Sequence, residues 1–194
     1  GAPLALVGHS YGGAVALVAA LAAPARVRAL ALYEPTLFAL IDAERPAPNE
    51  ADGIRHTVLD AGAALDAGNV EAAAERFIDY WMEPGAWAST PGHRKPAIAE
   101  SVRNIRRWAH ALFREPTPLA AFRALDVPVL YLVGERTTAS ARGVARLLTG
   151  ALPRCEVVEL AGLGHMGPVT HPDRVNAHIQ EFLQTHHLPT ASAE

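Results

Sequence analysis

Ser10 lies in Gly8-His9-Ser10-Tyr11-Gly12-Gly13, a glycine-rich turn close behind the N-terminus. A serine hydroxyl is a poor nucleophile until a base removes its proton, and a neutral imidazole does this near neutral pH. The sequence offers nine histidines as bases. It also places a carboxylate, Glu34, directly after the apolar run Val27–Tyr33, and strand ends of this kind face ligand crevices. Competing readings of the turn fail on spacing. A dinucleotide fingerprint needs Gly-x-Gly-x-x-Gly, and a phosphate loop ends in Gly-Lys-Ser/Thr; neither fits these residues.

Nucleophile chemistry at Ser10 requires a particular frame. Leu4-Ala5-Leu6-Val7 reads as a buried strand, and Ala14–Ala23, rich in Ala, Leu and Val, as a buried helix. Strand, Gly-x-Ser-x-Gly, helix is the context of a nucleophile elbow. So sharp a turn strains the serine backbone and crowds strand against helix, so Gly8 and Gly12 are expected where a Cβ would collide. The Tyr11 N–H, in the first turn of the helix, is then placed to meet an oxyanion.

With that motif and context the sequence resembles the α/β-hydrolase family, and the resemblance extends nearly to the C-terminus. It implies an α/β fold, here about four parallel strands flanked by helices. A helical cap of residues 38–118 would interrupt a core formed by 1–37 and 119–194. In the family the nucleophile follows the fifth strand. The expectation is therefore the C-terminal portion of a longer hydrolase, with the second oxyanion donor outside this sequence. The base follows the last strand on a glycine-rich loop, which selects His165 in Ala161-Gly162-Leu163-Gly164-His165. The usual acid follows the seventh strand as Gly-x-x-Asp, but Gly134-Glu135-Arg136-Thr137 has threonine in that place. Some branches carry a glutamate after the sixth strand instead. Glu34 stands there and is preferred to Glu135, and the order Ser10, Glu34, His165 is kept.

Between the core segments, Ile54–Leu65 reads as one helix and Asn69 caps a second with the stripe Val70 to Trp81. A third, longer helix is expected over Ile98–Phe113. Glu34 precedes Pro35 and so is expected to be extended. Strands are expected at Pro128–Gly134 and Cys155–Leu160, with a final amphipathic helix from Pro172 and a frayed tail after His187. Helical spacing favours a plain core role for Trp81 and Trp108, leaving Trp87 and Met166 as substrate contacts.

Half of the 194 residues are hydrophobic and the net charge is −3, which gives no electrostatic case for nucleic acid or anionic membrane. No apolar run is long enough for a membrane span. Cys155 is the single cysteine, so the default placement is cytoplasmic. No metal or cofactor is expected, and the partner is a small-molecule substrate. The reading is a serine hydrolase of small, largely apolar esters. A carbon–carbon bond hydrolase with the same triad, or a non-catalytic ligand-binding relative, are the alternatives.

Overall fold

The computed structural model describes residues 2–186. Four strands, β1 (Leu4–His9), β2 (Val27–Tyr33), β3 (Val129–Gly134) and β4 (Cys155–Leu160), form one parallel sheet in the order β1-β2-β3-β4. β2 from Ala29 onward and β3 are buried and mostly apolar because both their faces are covered. Leu30, Leu32, Tyr131 and Val133 point into one core layer, shared with the helices α1 (Tyr11–Ala22) and, after β3, α9 (Ala139–Ala151). Ala29, Ala31, Leu130 and Leu132 point into the other, covered by α11 (Pro172–Thr185) through Val175 and Phe182.

Seven helices are inserted between β2 and β3: α2 (Ala39–Glu44), α3 (Asp52–Asp66), α4 (Val70–Trp81), α5 (Ala86–Ser89), α6 (Lys95–Val102), α7 (Ile105–Arg114) and α8 (Leu119–Phe122). The Asn69 side chain caps α4 by accepting from the Ala72 N–H at 3.0 Å. α3 gives way to a turn in which Gly68 has φ +75°. The insertion has its own small core, including Ala61, Ala73, Ala74, Val102 and Ile105. The one long helix expected over 98–113 is instead two. The Ser101 hydroxyl bonds back to the Ile98 carbonyl, and the Arg103 and Asn104 N–H groups reach only three residues back. Ser and Asn competing for the backbone in this way break a helix, and the bend turns both Val102 and Ile105 inward.

A short α10 (Gly167–Thr170) follows the loop after β4. The tail expected beyond His187 lies outside the described residues. No helix among the described residues is long and apolar enough to cross a membrane.

Candidate active site

Ser10 sits between β1 and α1 with φ 55° and ψ −120°, a conformation that L-residues rarely adopt. Sheet bonding fixes it, since the Ser10 N–H donates to the Tyr33 carbonyl at 2.9 Å and the Ser10 carbonyl accepts from Ala14 at 3.1 Å. The crowding falls on Gly8 and Gly13. A Cβ on Gly8 would lie 2.6 Å from the Gly12 carbonyl oxygen, and one on Gly13 would lie 3.1 Å from the Pro35 ring. Gly12, expected to be crowded, has open space where its Cβ would stand, because it lies on the exposed side of the first turn of α1.

The loop after β4 brings His165, 2% exposed, over the serine. Its Nε2 is 2.9 Å from Ser10 Oγ and its Nδ1 is 2.6 Å from Glu34 Oε2. A carboxylate only accepts, so Nδ1 carries the proton and Nε2 is left to accept from the Ser10 hydroxyl. Glu34, fully buried, follows the end of β2. Its Oε1 accepts from the Gly134 N–H at 2.7 Å, and its Oε2 also accepts from the Thr137 hydroxyl at 2.6 Å. Thr137, which stands where the more usual acid would be, thus serves the glutamate. Glu135 is exposed and binds the Gly162 N–H at 2.6 Å.

Glu34 is not extended as the following proline predicts; its φ is +44°. Its N–H continues the sheet ladder to the Leu132 carbonyl at 3.1 Å, and its side chain is held from three sides. Those bonds together outweigh the local preference.

Three further groups surround His165 and its loop. Tyr33 O–H donates to the Gly164 carbonyl at 2.7 Å, with burial first and Glu34 second pushing the phenol's pKa up. The His9 Nε2–H donates to the His165 carbonyl at 2.8 Å. Burial, then the neighbouring His165, lower the His9 pKa from 6.5 to about 4, so it stays neutral near neutral pH. Trp81 lies flat against the His165 ring, centroids 3.9 Å apart and planes at 27°. Sequence reasoning passed over His9 and Tyr33, although both directly precede residues of the constellation. Trp81 was assigned to the core, and it is both buried and in the site.

In front of Ser10 is a cavity of about 370 Å³. Tyr11 borders it, and its N–H belongs to the first turn of α1, where helices leave donors unpaired. The walls are apolar: Phe38, Phe77, Trp108, Leu112 and Phe113 from the insertion and its approach, and Met166 beside the base. Trp87 does not reach it. That ring packs in the insertion's own core, its Nε1–H donates to Glu71 at 2.8 Å, and Lys95 lies over its face. The four-residue α5 that carries it begins after Gly85, and the indole packs with Ala73 and Ala74 of α4, a placement that spacing alone does not give. Among the described residues, no group of three or more His, Cys, Asp or Glu side chains could hold a metal ion.

Solved structures similar to this chain have the same fold. An alpha/beta hydrolase enzyme from a Medee basin deep-sea metagenome library is 17% identical, with TM-score 0.72, over 98% of this chain and 68% of its own. The 2-hydroxy-6-oxo-6-phenylhexa-2,4-dienoate hydrolase from Rhodococcus sp. strain RHA1 is 22% identical, with TM-score 0.64, over 92% and 63%. Naproxen esterase from Bacillus subtilis is 20% identical, with TM-score 0.61, over 93% and 60%. A search of curated proteins found no match. The family model described as the alpha/beta hydrolase family matches residues 1–178, and the chain belongs to that family.

Proposed function

We propose that this chain is the catalytic part of a serine hydrolase that cleaves small, largely apolar esters through an acyl-enzyme. The observation that carries this reading is the continuous relay Ser10 Oγ, His165 Nε2, His165 Nδ1, Glu34 Oε2, with links of 2.9 and 2.6 Å. Ser10 Oγ attacks the ester carbonyl as its proton passes to His165 Nε2. The carbonyl π pair moves onto oxygen, which the Tyr11 N–H faces, while Glu34 holds the imidazolium through Nδ1–H. Collapse of the tetrahedral adduct expels the alcohol, which takes the proton from Nε2. Water then gives a proton to the same nitrogen as its oxygen attacks the acyl carbon, and collapse of this second adduct breaks the acyl–Oγ bond, releases the acid and returns the proton from Nε2 to Ser10.

The helices between β2 and β3 act in this reading as a cap that supplies the acyl pocket. Its wall favours uncharged substrates. A dienoate such as that named for the Rhodococcus enzyme carries a carboxylate, and no lysine or arginine is among the residues around the cavity. The ester reading therefore stands ahead of carbon–carbon bond hydrolysis.

A serine-reactive fluorophosphonate should label wild-type protein and not Ser10→Ala, with p-nitrophenyl ester turnover lost in parallel. Equal labelling of the two proteins, or labelling at another residue, would rule the reading out.

A further inference from the structure

The indole of Trp81, at the end of α4 in the insertion, lies flat on the imidazole of His165, at 3.9 Å between centroids. It is the last residue of α4 and 6% exposed. Its neighbours leave it little freedom. Tyr80 meets it edge-on, with centroids at 4.9 Å, and Phe38 stacks behind at 6.4 Å. Tyr80 itself is tied to the sheet domain, since its hydroxyl is 2.7 Å from Ser140 Oγ at the start of α9, and Ser140 is fully buried. The insertion is therefore fastened to the core one residue away from the ring that covers the base.

This position matters for charge. When the Ser10 proton moves to Nε2, the imidazole becomes a cation whose two N–H groups point in the ring plane at Glu34 and at the reacting oxygens. Neither stabilises the ring from its face. An indole face is the aromatic surface that attracts a cation most strongly. On the proposed hydrolase reading, we infer that Trp81 is a positioning residue for the base: it holds the imidazole in plane and stabilises its protonated form, so docking of the insertion is part of the charge machinery and not only a wall of the pocket.

The test compares Trp81→Phe, which keeps a weaker ring face, with Trp81→Met, which fills space without one. Both are assayed on p-nitrophenyl acetate and p-nitrophenyl hexanoate. The expected result is a kcat lower by about threefold for Phe and about tenfold for Met. The loss should be equal on the two esters, with KM for the acetate within about twofold of wild type, because transition-state charge and not acyl packing is affected. Equal kcat for the Phe and Met variants overturns the inference, as does a defect seen only in KM and growing with acyl length; Trp81 is then wall alone. If Trp81→Met has no cooperative thermal transition, Trp81→Phe decides by itself, with about threefold loss expected against none. Wild-type protein that neither turns over the esters nor takes the phosphonate label is a different failure: the hydrolase reading falls, and this inference with it.

Discussion

The acid of the relay is a single residue choice with a measurable consequence. Glu34 reaches His165 and Glu135 does not, because Glu135 is turned outward to the Gly162 N–H. Glu34→Gln keeps the side chain's size and removes the anion that pairs with the imidazolium. It should reduce kcat by about 10⁴, while Glu135→Gln stays within about tenfold. Steady-state kinetics of both variants, with circular dichroism to show that each folds, separates them. A crippled Glu135→Gln beside an active Glu34→Gln would return Glu34 to a structural role. Thr137 adds a second test at this scale. Thr137→Val removes one hydrogen bond to the buried carboxylate and should lower kcat by about tenfold, and Thr137→Ser should recover most of it. Failure of serine to recover activity would show that the methyl, not the hydroxyl, matters.

At the scale of elements, the strand-to-helix turn concentrates its strain at particular glycines. A methyl on Gly8 meets backbone of α1, which cannot move without shifting Ser10. Gly8→Ala should therefore destabilise the fold by about 2–3 kcal/mol. Gly12 is exposed, helical and unobstructed, so Gly12→Ala should be neutral or stabilise by about 0.5–1 kcal/mol. Urea unfolding of the two variants gives both numbers. If both lose stability alike, close packing at Gly8 alone is not the cause. The same elements explain the tight base loop, where Tyr33 at the end of β2 reaches across to Gly164.

For the whole molecule, pH and edge exposure decide behaviour. The folded pKa of His9 lies near 4 and its unfolded value near 6.5, so the unfolded chain binds the extra proton between them. Its contribution to stability is complete above about pH 6.5 and is lost as pH falls toward 4. Thermal melts of wild type should fall through that window, and His9→Gln should flatten the curve there; an identical slope in both would assign the loss to other groups. β1 pairs with β2 on one side only among the described residues, and Leu4 and Val7 are each more than half exposed on it. An open apolar edge templates association. Val7→Lys should reduce light scattering at high protein concentration, and unchanged scattering would place the contact elsewhere.

Local sequence carries the strand-to-helix turn, the four strands nearly to the residue and the capped start of α4, and it singles out Ser10, His165 and Glu34, side chains that lie within hydrogen-bonding distance of one another in the fold. These are written in local features: apolar runs, glycine at a sharp turn, carboxylate at a strand end and family order. Tertiary structure alone decided the rest, because each remaining feature depends on which distant segment arrives nearby. The left-handed backbone of Glu34 contradicts its proline neighbour because bonds from Gly134, Thr137 and His165 converge on it. The split of the long helix is the exception, a local effect of Ser101 and Asn104 side chains competing for the backbone. Trp81 and Trp87 are six residues apart, yet one stacks on His165 and the other stays in the insertion's core. Helical period fixes which face a ring occupies, but what that face meets is set by the docking of α4 on α9 through Tyr80 and Ser140.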